Sequence, residues 1–265
     1  MMKKLAVVMG ALALAATGAF SATDNFEDSN PSNDYNDGIQ YGDNGGTGFG
    51  ALTYLEGTGG GLFNGTLAGA RALGVFSGGG SGNTQAMGRT ITGGVIAGNY
   101  SLDLRFDVDN AVGTTGFNIK SGLGSSFGGN ELLFVGMTPG SGNNVLFVND
   151  GTGTHTFAIT GLTELRGVNL HFSVDFDTAA GTYSLTANSG ANIGSISGSL
   201  IDTNGGSAGV GTLNAIAFGN FNTGANQNVV VDNLNITAIP EPSTLSLLAA
   251  PAILGAVFFM RRRRS

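Results

Sequence analysis

The chain has 265 residues, carries eleven Lys and Arg against eighteen Asp and Glu for a formal charge of −7, and contains no cysteine. Thiol catalysis and cysteine-ligated zinc are therefore excluded, and a chain this long can be held by an ordinary hydrophobic core without disulfides. Lys3, Lys4 and Arg261 to Arg264 hold more than half of the cations, so the body between them is strongly acidic, repels phosphate backbones and is no partner for nucleic acid.

The N-terminus reads as an export signal peptide: Lys3 and Lys4, an apolar run from Leu5 to Ala16 too short for a membrane span, then small residues. Ala19 and Ser21 fit the small-x-small rule, which places cleavage between Ser21 and Ala22, with the bond after Ala19 as the alternative. The acid-rich segment that follows, with Asp24, Glu27, Asp28, Asp34, Asp37 and Asp43, reads as solubilising. Gly46 to Ala51 matches G-x-G-x-x-A, but no strand precedes it and no helix follows, so these are loop glycines and not a dinucleotide site.

From there the 47 glycines punctuate segments patterned with a period of two. Strands are predicted over 51–56, 72–77, 116–120, 131–136, 144–149, 154–160, 182–187, 213–219 and 228–237. The clearest are two more. In "LDLRFDV", Leu102, Leu104, Phe106 and Val108 share one face and Asp103, Arg105 and Asp107 the other; in "LHFSVDF", Leu170, Phe172, Val174 and Phe176 oppose His171, Ser173 and Asp175. "DTAAGTY" joins two strands as a hairpin, with Gly181 available for a positive φ. No stretch between 24 and 238 sustains a helical period. Many short strands with frequent turn signals predict one all-β domain over 22–239, an antiparallel β-sandwich or jelly roll.

Chemistry is sparse. His155 and His171 are the whole imidazole supply, and His171 falls on a polar strand face. The body's glutamates, Glu27, Glu56, Glu131 and Glu164, form no strand pair of the kind glycoside hydrolysis uses. Asp175 and Asp177 share a strand face about 7 Å apart, at about 3.4 Å per residue, and Asp107 and Asp109 repeat the spacing. Either pair could contribute to a Ca²⁺ site, but neither matches the D-x-D-x-D-G loop, and solvated charge is the preferred reading. Five tyrosines, Tyr35, Tyr41, Tyr54, Tyr100 and Tyr183, are the candidates for sugar stacking; the chain has no tryptophan, and Tyr183 reads as structural. Asp232 is predicted on the same face as Val230, Leu234 and Ile236, where it needs a partner, a bulge or an ion.

The tail is the most specific feature. Residues 245–260 form an apolar run broken by Pro251; as a helix it spans about 24 Å at 1.5 Å per residue, short of the ~30 Å hydrocarbon core. Arg261, Arg262, Arg263 and Arg264 then hold that end on the cytoplasmic side. Just outside the run, Pro240, Glu241 and Pro242 keep the backbone extended and open to a protease.

This order of Pro-Glu-Pro, apolar span, arginine cluster and chain end resembles the PEP-CTERM sorting signal of exported bacterial proteins. The resemblance implies a transient inner-membrane anchor, processing by an exosortase (a membrane cysteine transpeptidase) at or near Pro240–Pro242, and delivery to the cell surface or an exopolysaccharide-rich biofilm matrix. "GTGFGALTYLEGTGGG", "FSVDFDTAAGTYSLTANSG" and "VVVDNLNITAIPEPS" are similar to members of that group whose body looks like a concanavalin-type jelly roll. The expectation is a non-enzymatic exported sandwich. A lectin-like module binding matrix polysaccharide is the first alternative, and a glycosidase on the same fold the second.

Overall fold

The structure, a computed structural model, describes residues 20–27, 35, 38–78, 83–108, 114–137, 145–205, 209–223 and 227–239. Asp28, Asp34, Asp37, Asp109, the leader before Phe20, and the tail with Pro240, Glu241, Pro242 and Arg261 to Arg264 lie outside the described residues.

The strands in chain order are β1 (Ser21–Asp24), β2 (Thr53–Gly57), β3 (Gly60–Leu67), β4 (Ala70–Ser77), β5 (Asn83–Val95), β6 (Ala97–Val108), β7 (Thr114–Lys120), β8 (Glu131–Met137), β9 (Val145–Asp150), β10 (Gly153–Ala158), β11 (Asn169–Asp177), β12 (Thr182–Ser189), β13 (Asn192–Ser199), β14 (Leu213–Thr223) and β15 (Gln227–Ala238). They form two antiparallel sheets. One runs β13-β12-β11-β6-β15-β4-β3, with β1 joined to β15 where β4 leaves off; the other runs β10-β9-β8-β7-β14-β5-β2. Among the described residues there is no helix, and so none long and apolar enough to cross a membrane.

The period-two pattern is what packs the sandwich. Tyr100, Leu102 and Leu104 of β6 lie in register beside Val174, Phe172 and Leu170 of β11, and all are buried. Each such side chain contributes about 1.5–3 kcal/mol by leaving water. Phe117 of β7 reaches across from the other sheet and sets its ring 5.3 Å from Phe172 and 5.9 Å from Tyr100, both edge-on. The predicted hairpin between β11 and β12 is present: Gly181 has φ +69°, and the Ala180 amide donates to Asp177 Oδ1 at 2.8 Å. Tyr183 is structural as read, buried with its hydroxyl donating to Asp150 Oδ2 at 2.9 Å.

Four strands escaped the pattern, each for a physical reason. β3 and β13 are edge strands in which Gly, with Asn and Thr in β3 and Asn and Ser in β13, breaks up the hydrophobic alternation. β5 is central, but its core-facing row runs Gln85, Met87, Arg89, Ile91, with an arginine where an apolar residue is expected.

That arginine explains β1, and corrects the reading of the acid-rich start. Asp24 is not a solubilising charge. It is buried, ion-pairs with Arg89 Nη1, and accepts a hydrogen bond from the Tyr35 hydroxyl at 2.6 Å. Arg89 also donates through Nε to Gly50 O and through Nη2 to Gly45 O, both at 2.7 Å, and lies over the Phe49 ring at 5.0 Å. One guanidinium thus ties β1 of the first sheet, β5 of the second and the 43–50 loop together across the interior. Glu27 and Asp43 are also engaged: Glu27 Oε1 accepts from the Arg71 amide at 3.2 Å, and Asp43 Oδ2 from the Gln40 amide at 2.6 Å.

Asp232 needs a second correction. It shares a face with Val230, but not with Leu234 and Ile236. Asn233 adopts φ +51° and the register of β15 against β6 slips between Asp232 and Asn235. This bulge moves the inward set from Val229 and Val231 to Leu234 and Ile236, leaving Asp232 on the outer side with its Oδ1 accepting from the Asn233 amide at 2.7 Å. Burial there, with the carboxylates of Asp103, Glu27 and Asp24 adding, raises its pKa to about 7 even against the Asn233 amide bond.

Candidate functional site

Of the acidic residues singled out as weak metal candidates, Asp109 lies outside the described residues and the other three make hydrogen bonds within the protein. Asp175 Oδ1 accepts from Asn99 Nδ2 at 2.8 Å, Asp177 caps its hairpin, and Asp107 is held by Arg105 through Nε and Nη2. Among the described residues no group of three or more His, Asp and Glu stands close enough together to hold a metal ion. His171 Nδ1 bonds Asp103 Oδ1 at 2.8 Å, and Asp103 Oδ2 accepts from Asn233 Nδ2 at 2.7 Å, a polar cluster on the outer face of the first sheet. His155 Nε2 meets Thr152 Oγ1 at 2.8 Å. Neither histidine is engaged with a serine, although the spacing G-x-S-x-G does occur from Gly124 to Gly128. That stretch is a loop followed by strand β8, not the strand-to-helix turn that exposes a nucleophile.

The outer face of the second sheet carries two of the glutamates, and it is closed. Residues 121–130 fold across it and lay Phe127 between Phe221 and Phe134, with ring centroids at 4.1 and 5.3 Å. Polar side chains from two strands hold that residue's backbone: Lys120 Nζ and Asn118 Nδ2 donate to Phe127 O at 2.5 and 3.0 Å, and Glu56 Oε1 accepts from its amide at 3.1 Å. Glu131 takes bonds from Asn118 Nδ2 and Asn149 Nδ2, both at 2.8 Å. Burial lowers the Lys120 pKa to about 8 and pushes that of Glu131 up. Glu56 thus fastens the loop directly, and Glu131 holds Asn118, which does the same. A glycosidase needs two carboxylates flanking space for a sugar, and here that space holds Phe127.

An open region of the described surface lies toward one end of the sandwich. β6 and β15 run antiparallel, so Phe20, Ala97 and Ile239 gather at one pole: Ala238 N donates to Phe20 O and Ile239 N to Ala97 O, both at 2.9 Å. Asp107 and Asn228 pair near the other, about 33 Å away at ~3.3 Å per residue. At that distal pole a polar cleft of about 540 Å³ is lined by Asp107, Glu164, Arg166, Gly167 and Asn228.

On the β2 edge of the second sheet, whose Gly57 end approaches the same pole, stand Tyr41 and Tyr54. They are 37% and 50% exposed, whereas Tyr35, Tyr100 and Tyr183 are buried. The two rings meet edge to face at 5.5 Å, and their hydroxyls fix them: Gln85 Nε2 donates to Tyr41, and Tyr54 donates to Gly57 O at 3.0 Å. A pair of water-exposed aromatic faces held rigid this way is what stacking on the apolar side of a sugar ring requires. Sequence pattern could not rank the tyrosines, because exposure at an edge strand depends on what the 38–52 loop covers.

No protein-family model matches the chain, and no curated protein is similar to it in sequence. Solved structures share its fold. Lectin UEA-II in complex with galactose superposes with a TM-score of 0.50 at 10% identity, over 83% of this chain and 98% of the lectin. Peanut lectin with a nine-residue peptide gives 0.49 at 12% over 83% and 97%, and the Ca²⁺- and Man3GlcNAc-bound VIP36 exoplasmic/lumenal domain 0.43 at 9% over 72% and 89%. The body of this protein has a concanavalin-like β-sandwich fold, the fold of lectin UEA-II.

Proposed function

We propose that this chain is an exported, non-enzymatic saccharide-binding protein, carried out by its leader and delivered by its PEP-CTERM-like tail to the cell surface or matrix. The observation that carries the binding role is the Tyr41–Tyr54 pair, two exposed rings anchored by their hydroxyls on a lectin-type sandwich. The closed face around Phe127 supports a binding role over hydrolysis. The sorting role is supported by the tail's Pro240-Glu241-Pro242 motif, its apolar run and Arg261 to Arg264, which imply an exosortase and a temporary inner-membrane anchor. Within the described body, Phe20 and Ile239 lie at one pole and the polar cleft at the other.

Co-sedimentation of the exported protein with galactan, β-glucan and polyuronate tests the binding role; galactan leads because UEA-II carries galactose on the same fold. The wild type is expected to bind at least one, and Tyr41→Ala with Tyr54→Ala to weaken that binding tenfold or more, equal to about 1.4 kcal/mol. Equal binding by wild type and double variant would move the site elsewhere, and no binding at all would remove the saccharide role.

A further inference from the structure

We infer that the leader is removed at the Ala19–Phe20 bond, so that Phe20, and not Ala22, is the first residue of the exported protein. The inference rests on the export reading above. Spacing of small residues allows two bonds, and the folded sheet distinguishes them. Phe20 belongs to the sheet: its carbonyl accepts the Ala238 amide at 2.9 Å and its side chain packs against the core. Ser21 pairs with Thr237 and Ala22 with Ile236 in the β1–β15 ladder, and Ala22 is fully buried beneath Gly48.

Cutting between Ser21 and Ala22 would discard Phe20 and its contacts, shorten a four-residue strand and strip the Ala238 amide of its acceptor. It would also turn Ala22 into a charged terminus two residues from Asp24, the counter-ion of buried Arg89. Cutting after Ala19 keeps every one of these contacts. A leader peptidase selecting small side chains one and three residues before the bond meets Ala19 and Thr17 there. Water adds across the amide, leaving a carboxylate on Ala19 and an ammonium on Phe20.

The order of events allows the cut. The ladder that seats β1 in its sheet is with residues 234–237 of β15, the last of the described strands, while Thr23 also bridges Thr47 of the preceding loop. Until those residues have crossed the membrane Phe20 has no ladder to join, and the bond before it is presented as extended chain. Once β1 docks, the same carbonyl is committed to Ala238.

N-terminal sequencing of the protein recovered outside cells that express the full chain tests this directly. Phe20 as first residue is expected. Ala22 or Ser21 as first residue overturns the inference and leaves leader removal standing; Met1 on the extracellular protein overturns leader removal itself. Ser21→Leu separates the two bonds, since it removes the small residue that the second bond needs while altering an exposed position of β1. Its product is expected to begin at Phe20 in wild-type yield. Accumulation of uncut Ser21→Leu precursor would contradict the assignment even if the wild-type result were mixed.

Discussion

Asp24→Ala is expected to destabilise the folded body by about 3–5 kcal/mol, the range for removing one partner of a buried ion pair. The Arg89 guanidinium would remain, with no exposure of its side chain, facing the Tyr35 hydroxyl and two loop carbonyls but no counter-charge. At about 2–4 °C per kcal/mol for a body of this size, thermal unfolding followed by circular dichroism should shift down by about 6–20 °C. Replacing both partners by apolar residues of similar volume, Asp24→Leu with Arg89→Met, is expected to recover a large part of the loss, because no charge is then left buried. A shift below about 2 °C for Asp24→Ala alone would mean that the pair does not hold β1 and the 43–50 loop in place.

Asp232→Asn is expected to act in the opposite direction, and only above acidic pH. The folded carboxyl titrates at about 7 against an ordinary 3.8. Between those values the folded state holds a proton that the unfolded state has released, so this residue's contribution to stability is present below about pH 4 and lost as pH rises through 7. At pH 8 the wild type carries a buried carboxylate beside Asp103, Glu27 and Asp24. Asparagine keeps the acceptor for the Asn233 amide and removes the charge. The shift corresponds to about 4 kcal/mol at most, and relaxation leaves about 1–2 kcal/mol as the expected gain. The variant should therefore melt about 2–8 °C higher at pH 8 and converge with wild type near pH 4. Glu131, raised in the same sense, is present in both proteins and cancels. A difference that stays constant from pH 4 to 8 would refute the buried charge.

Much of the fold was legible because the inner faces of β6 and β11 alternate without interruption; Leu102 to Phe106 and Leu170 to Phe176 announce a half-buried sheet by themselves. The β11–β12 hairpin was legible through Gly181. What was hidden involves partners distant in the chain or breaks in the period. Asp24 looks like any surface acid until Arg89, sixty-five residues on, is placed beside it. Asp232 looks like a misplaced core residue until the left-handed Asn233 shifts the register. The candidate site was the least legible part. Nothing in the letters around Tyr41 and Tyr54 separates them from Tyr35, which the same loop buries against Phe26 at 5.7 Å. Glu56 and Glu131 looked like unassigned acids, and only the fold shows Glu56 bonded to the Phe127 amide and Glu131 held between Asn118 and Asn149.

The account depends on delivery, since a saccharide-binding body serves a matrix only once it has been freed outside. Intact mass of the protein collected from the cell exterior tests this most directly. The expected species ends at or near Pro240–Pro242 and lacks the apolar run and Arg261 to Arg264. Recovery of an extracellular form that still carries Arg264 and Ser265 would contradict it.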